Sequence, residues 1–241
     1  MKKLFLLALV ATMSMTSCSK EESEVSLSKM SYTLYHSQNE KIQGTNVNNL
    51  KWQSDNDFVA IISDGVIKGQ FVGKTNVRES AHRLSFNVEV KPKYNLYDEP
   101  DMDWGTSIAT IKSRYGTPYS STSESLIYKS ANKNAPYYIY LFKNGMMQSC
   151  GLVVPLSAAS SLVDFLSERY LTYDVDMSKY TANFAHCYGS TANPQIDYII
   201  EMAYSSSMGG LVVAYAPTNT KANVAVNEKI ANLLIDVKIE K

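Results

Sequence analysis

The sequence predicts a β-rich protein in two parts: an all-β N-terminal domain, then an α+β C-terminal domain made of helices and antiparallel strands. Three observations carry this. Leu84, Phe86, Val88 and Val90 alternate strictly, the period of a strand with one buried face. Asn144-Gly145 separates two apolar runs, the strongest short-range hairpin signal. Apolar residues recur at helical spacing twice, at Ile108, Ile111 and Tyr115 and at Leu162, Phe165, Leu166 and Tyr170.

The chain opens with Met1-Lys2-Lys3, an apolar run from Leu4 to about Met13, and Met15-Thr16-Ser17-Cys18. The run is shorter than the roughly 20 residues that span a bilayer, but it suits the core of a secretory signal. Met15, Ser17 and Cys18 resemble the lipobox of bacterial lipoproteins. That resemblance implies cleavage after residue 17 and lipid on Cys18, so that each buried methylene contributes about 0.8 kcal/mol to membrane anchoring. The expected partner is therefore a membrane, through lipidated Cys18. Ser19-Lys20-Glu21-Glu22-Ser23-Glu24 reads as a solvated tether. It also resembles the acidic export tag of surface lipoproteins, which implies an outer-membrane protein at the cell surface; the periplasmic face is the alternative.

Without Lys2 and Lys3 the chain has 21 basic against 23 acidic residues. That near-neutral balance has no basic patch to suggest nucleic acid. Tyrosine outnumbers the other aromatic residues, 17 against 7 Phe and 2 Trp, which suits half-exposed strands where a ring packs and its hydroxyl meets water. Cys150 and Cys187 remain once Cys18 is set aside. An oxidising envelope would allow them to pair, although two buried free thiols are the favoured reading.

Residues 25–92 form the first domain. Leu50, Trp52 and Ser54 alternate, and Asp64-Gly65 marks a turn between Val59-Ala60-Ile61-Ile62 and Val66-Ile67. The order Leu50-Lys51-Trp52-Gln53-Ser54-Asp55-Asn56, Val59-Ala60-Ile61, Asp64-Gly65-Val66-Ile67-Lys68-Gly69 and Val72-Gly73-Lys74-Thr75, with a last strand ending at Val90, resembles the group 2 bacterial Ig-like domain of invasin- and intimin-type surface proteins. The resemblance implies an Ig-like sandwich acting as a spacer or stalk. Asn76-Val77-Arg78-Glu79 is more polar than the family's usual strand there. Gly69-Gln70-Phe71-Val72-Gly73-Lys74-Thr75 superficially suggests a phosphate loop, but it has three residues between the glycines where that motif needs four.

Residues 93–103, punctuated by Pro92 and Pro100, read as a linker whose acids Asp98, Glu99, Asp101 and Asp103 are solvated. From residue 104 to 241 the pattern is α+β. Thr106 or Ser107 caps a helix that Gly116 ends. Strands come next, over 125–129, 137–143 and 146–154. A second helix is capped by Ser157, and strands cover 180–188, 196–204 and 210–215. A helix plus three strands thus occurs twice, which predicts one antiparallel sheet with helices on one face and the other face open. Val226, Ile230, Leu233 and Leu234 fit a helix, and Ile235, Val237 and Ile239 a terminal strand. Trp104-Gly105-Thr106-Ser107, the helix end Lys112-Ser113-Arg114-Tyr115-Gly116 and the Asn144-Gly145 hairpin resemble the tandem fold of the β-lactamase inhibitor protein and related outer-membrane lipoproteins. That resemblance implies protein binding through the sheet face.

No chemistry is indicated. His36, His82 and His186 lack partners at metal spacing. His186 and Cys187 are neighbours in a strand and point to opposite faces. No G-x-S-x-G elbow occurs. Asp174 and Asp176 share a face if extended, but they lie near a charged, Tyr-rich turn after the second helix and nothing suggests a raised pKa. No enzyme activity, cofactor or metal is expected. The candidate binding residues are Tyr138 and Tyr140 on one face and Tyr180 and Tyr188 on one face, presented to an unknown protein or glycan. Alternative readings are a periplasm-facing maintenance protein and, more remotely, a hydrolase.

Overall fold

The computed structural model describes residues 24–176 and 178–218. The signal segment, Cys18, the tether up to Ser23, and the helix and strand expected over 226–239 lie outside the described residues. The described residues are mostly β, with several sheets and two short α-helices.

The first nine strands are β1 (Ser26–Leu27), β2 (Ser31–Tyr35), β3 (Asn39–Lys41), β4 (Gly44–Thr45), β5 (Gln53–Ser54), β6 (Ala60–Ser63), β7 (Val66–Gly69), β8 (Gly73–Glu79) and β9 (Leu84–Lys91). They form a four-stranded sheet in the order β2-β9-β8-β5, a three-stranded sheet β3-β7-β6 and the pair β1-β4. The β2–β9 pairing is parallel and the others are antiparallel. The two larger sheets share one core: Tyr32, Leu34, Val77, Phe86, Val88 and Val90 meet Ala60 and Ile67, with Trp52 packed against them. The alternation read at 84–90 is thus the inward face of β9.

Asp64 and Gly65 take positive φ angles of 50° and 71°, as a two-residue hairpin turn requires. The polar stretch at 76–79 is a strand after all. Val77 points inward, while Arg78 bonds Asp55 at 2.6 Å and Asn76 bonds Asn87 at 3.1 Å outside. Gly69 is required by close packing, because a Cβ there would lie 2.8 Å from the Tyr35 carbonyl oxygen.

The rest of the described chain comprises α1 (Ile108–Tyr115), β10 (Ser120–Ser121), β11 (Ser125–Lys129), β12 (Tyr137–Lys143), β13 (Met146–Pro155), α2 (Ala159–Ser167), β14 (Leu171–Asp176), β15 (Thr181–Ser190), β16 (Asn193–Ser205) and β17 (Gly210–Pro217). Their strands form one eight-stranded antiparallel sheet in the order β10-β11-β12-β13-β17-β16-β15-β14. Each half is a helix followed by a four-strand meander, and the halves join where β13 pairs with β17 at the centre.

Ser107 caps α1 by accepting from the Thr110 N–H at 3.2 Å, and Gly116, at φ 76°, ends it. The hairpin turn Asn144-Gly145 has φ angles of 53° and 76°. Its Gly145 carbonyl accepts the Ile108 N–H at 3.2 Å, seating the start of α1 on the hairpin. Two expectations are corrected. Ser157 does not cap α2 but sits in a 3-10 turn (Leu156–Ala158), with no side-chain capping bond. The Tyr-rich stretch after α2 is strand β14, exposed along nearly its whole length.

Both helices pack on one face of this sheet. Ile111, Leu162, Phe165 and Leu166 meet Leu152, Val154, Phe184, Ile200 and Val213. Residues 93–103 also belong to this layer. Leu96, Tyr97 and Pro100 are buried, and Asn132 Nδ2 donates to the Leu96 carbonyl at 2.9 Å. The acids expected to be solvated differ in fate: Arg114 holds Asp101 at 2.5 Å and Asp103 at 2.8 Å, and Glu99 turns inward.

The N-terminal sheets meet the eight-stranded sheet at two places. Phe58 and Phe71 pack on Ala185 and Cys187 of β15, beside the Asp57 N–H bond to the Gly189 carbonyl at 2.8 Å. At the end of α2, Glu168 is buried. Its carboxylate accepts the N–H groups of Lys93 and Tyr94 at 2.9 and 3.0 Å, and its carbonyl accepts the Val72 N–H at 2.9 Å.

Phe165 is 1% exposed and lies between Tyr97 and Arg169. Replacing it with Ala should cost about 3–5 kcal/mol, read as a lower urea midpoint at unchanged slope.

Candidate functional site

The tyrosines divide into an inner set that holds the fold and an outer set that meets solvent. Alternation along β12 turns Tyr138 and Tyr140 toward the layer formed by α1 and residues 93–103. Tyr138 donates to the Asp98 carbonyl at 2.6 Å. Its burial, with the Asp98 and Glu99 charges nearby, pushes the phenol up to about 12. Tyr140 is 2% exposed, stacks on Tyr115 with ring centroids 5.8 Å apart, and accepts the Asp101 N–H at 3.3 Å. These two were expected on an open face. They are instead structural, because the supposed linker covers them.

The inner set extends into a polar network. Tyr170 donates to the Glu99 carboxylate and meets the Tyr198 hydroxyl at 3.2 Å. Tyr215 reaches the same carboxylate at 3.4 Å and the Tyr97 hydroxyl at 2.9 Å. Arg169 Nε stands 3.9 Å from Glu99. Burial lifts the Glu99 carboxyl above its ordinary 4.5, and the Tyr170 hydrogen bond and the Arg169 charge offset only part of this. Burial likewise raises the phenols of Tyr97, Tyr170 and Tyr215. Two hydroxyls, from Tyr170 and Tyr215, donate to the Glu99 carboxylate, those of Tyr198 and Tyr97 bond these two in turn, and the Arg169 guanidinium lies beyond, so this cluster fastens residues 97–99 to the sheet.

Tyr180 and Tyr188 behave differently. Tyr180 lies just before β15 with φ 52° and is 56% exposed; Tyr188 is 46% exposed. They stand about 25 Å apart along the strand direction, so they form no common patch. Tyr180 instead meets Tyr204 of β16, rings 6.2 Å apart at 57°, with the Tyr204 N–H bonded to the Tyr180 carbonyl at 3.2 Å. Val175, 50% exposed, pairs with Ala182 of the adjoining strand. Val175, Tyr180 and Tyr204 therefore gather at the outer end of three neighbouring strands, flanked by Lys179 and Asp176 at 3.1 Å from each other. Hydrogen bonds from Ser178 and Lys179 lower Asp176 to about 2. Tyr204 is one of several tyrosines that the sequence puts on or beside strands, but alternation does not group it with Tyr180. Its pairing with Tyr180 depends on the β15–β16 register, which alternation within one strand does not reveal.

The concave parts of the surface lie elsewhere. A polar cleft of about 890 Å³ runs beside Glu24, Asn46, Asn48, Asn49 and His82. A hollow of about 280 Å³ sits between Tyr35, His36, Lys93 and Glu168. Neither includes the candidate tyrosines. Cys150 and Cys187 are free and buried, and burial raises both thiols. His186 stacks on Tyr198 with centroids 4.7 Å apart, on the opposite face from Cys187, which packs with Phe58 and Ala185. Among the described residues, no three His, Cys, Asp or Glu side chains gather as metal ligands. A scan against protein-family models found no match, and a search of curated proteins found no significant relative.

Two outcomes separate the inner set from the outer. Tyr140→Phe removes a buried hydroxyl partner and should cost about 1 kcal/mol, whereas Tyr180→Ser should change stability by less than about 0.5 kcal/mol; urea titration reads both. A raised carboxyl pKa means that the folded state binds the Glu99 proton more tightly than the unfolded chain. Stability therefore falls as pH rises from about 4.5 through the raised value. Relative to Glu99→Gln, the unaltered protein should lose urea resistance across that window, measured at half-unit pH steps.

Proposed function

We propose that this is a lipid-anchored, non-enzymatic protein of the bacterial envelope, tethered through Cys18. Residues 25–92 form an Ig-like spacer, and residues 104–241 form an α+β domain that binds a protein or glycan. The reading rests on the lipobox-like start of the sequence and, for the binding surface, on one structural observation: Val175, Tyr180 and Tyr204 are exposed together on neighbouring strands. Aromatic rings held by a rigid sheet lose little freedom on contact and anchor many interfaces. An open platform suits a broad partner, whereas a small substrate would call for an enclosing pocket. The Glu168 corner supports the spacer role, because hydrogen bonds to the backbone of residues 72, 93 and 94 restrain bending at the junction.

Cell-surface display is the favoured side of the outer membrane. Protease treatment of intact cells should remove the chain from the surface; protection would place it at the periplasmic face. Cys18→Ser should abolish labelling by radioactive palmitate and release the protein from membranes. For binding, the mature chain should capture a partner in pull-downs from envelope extracts or on glycan arrays. Tyr180→Ser combined with Tyr204→Ser should reduce that capture at least tenfold with an unchanged melting temperature. Equal capture by the double variant would overturn the assignment of the surface.

A further inference from the structure

The smaller hollow, where the N-terminal sheets meet α2, is walled by three pieces of chain far apart in sequence. Tyr35 and His36 come from the end of β2 and the turn after it, Lys93 and Tyr94 from the segment leaving β9, and Asp164 and Ser167 from the last turns of α2. Each piece is held by bonds of its own. The Tyr35 N–H donates to Gln38 Oε1 at 3.0 Å, and the Ser37 N–H to the Gly69 carbonyl at 2.9 Å. His36 Nδ1 meets the Gln70 carbonyl. The Glu168 carboxylate fixes the backbone of Lys93 and Tyr94 from within. The walls are set in advance, leaving no loop to be ordered on binding.

Two opposite charges on this hollow are left unanswered. Glu168 is saturated by two backbone N–H groups and by Arg169. The Lys93 ammonium, in contrast, makes no ion pair among the described residues and lies 5.6 Å from the centroid of the Tyr94 ring. The Asp164 carboxylate has no ion-pair or side-chain hydrogen-bond partner among the described residues, and it does not pair with Lys93 across the hollow. A carbonyl only accepts, so the His36 ring donates through Nδ1 and, when neutral, keeps its Nε2 lone pair. The hollow thus offers one cation, one anion and one ring acceptor. At about 280 Å³ it stands at the small end of ligand sites, which begin near about 300 Å³, and it is too small for a sugar chain or a folded partner. A molecule of single charge would be drawn to one ionic group and repelled by the other. A small molecule that carries both an ammonium and a carboxylate answers both. The half-exposed Tyr35 ring gives its remainder an apolar face.

We propose that this hollow binds a free α-amino acid, its carboxylate on Lys93 and its ammonium on Asp164. His36 Nε2 offers the ammonium a second acceptor, and the Tyr35 ring receives the amino-acid side chain. The bound molecule bridges α2 to the segment that leaves the N-terminal sheets, so occupancy stiffens the junction that Glu168 already restrains. The site is separate from Tyr180 and Tyr204, and this inference does not depend on the proposed function.

The test uses the full mature chain, with Cys18→Ser for solubility and labelled with nitrogen-15, titrated in turn with each of the twenty protein amino acids and D-alanine. Saturable shifts of the amide signals of residues 35–36, 93–94 and 164–168 are expected with at least one of them. The N-acetyl and carboxamide derivatives of that amino acid, each missing one charge, should bind at least tenfold more weakly. Lys93→Gln and Asp164→Asn should each weaken binding at least tenfold with an unchanged melting temperature, whereas Lys74→Gln, which removes a lysine on β8, should leave binding unaltered. No saturable shift with any amino acid, equal binding of the single-charge derivatives, or full binding by both the Lys93 and the Asp164 variants would each overturn the proposal.

Discussion

The Glu168 carboxylate is the interaction on which the arrangement of the sheets depends. It lies 3% exposed at the end of α2, where an unpaired charge would be costly. Two backbone N–H groups and the Arg169 guanidinium, 2.5 Å away, satisfy it. Those two N–H groups belong to Lys93 and Tyr94, where the chain leaves the N-terminal sheets. Arg169 in turn donates to the Tyr94 carbonyl at 3.1 Å and lies over the Phe165 ring at 3.7 Å. One buried acid thus sets the direction in which residues 95–103 run onto the sheet, and its neighbour ties that direction to the core of α2.

The course of the chain beyond that corner accounts for the abundance of tyrosine. The segment from Leu96 to Asp103 crosses the helix-bearing face of the sheet as an irregular strip, and an irregular backbone brings polar groups into a buried layer that must be paired. Tyr138 pairs with the Asp98 carbonyl, Tyr140 with the Asp101 N–H, and Tyr170 and Tyr215 with the Glu99 side chain. Each ring fills apolar space while its hydroxyl answers a polar group of the strip. Phenylalanine would fill the same volume and leave those groups unmet.

The regular elements were legible in the sequence wherever local chemistry decides them. Asp64-Gly65 and Asn144-Gly145 set tight turns, Ser107 and Gly116 bound α1, and the alternation at 84–90 gives the inward face of β9. The misses have a common cause in long-range packing. Pro92 and Pro100 signal punctuation, but nothing local shows that the residues between them are buried against partners far along the chain. Strand β14, Leu-Thr-Tyr-Asp-Val-Asp, escaped notice because it buries almost nothing and carries an extra residue, Tyr173, that breaks its alternation. Alternation also placed Tyr138 and Tyr140 on one face correctly without revealing which layer covers it. Cys18 and the C-terminal pattern remain sequence readings, since both lie outside the described residues.

That extra residue bears on how the sheet ends. A long flat outer strand is a template for another chain's backbone. Here β14 is bent by its bulge at Tyr173 and carries Asp174 and Asp176, while the opposite margin, β10, is only two residues long. Neither margin offers an even row of amides to a neighbouring molecule. Among the described residues both margins of the sheet are thus poor templates for an added strand, and the irregularity that hid β14 from recognition is the same feature that breaks its edge.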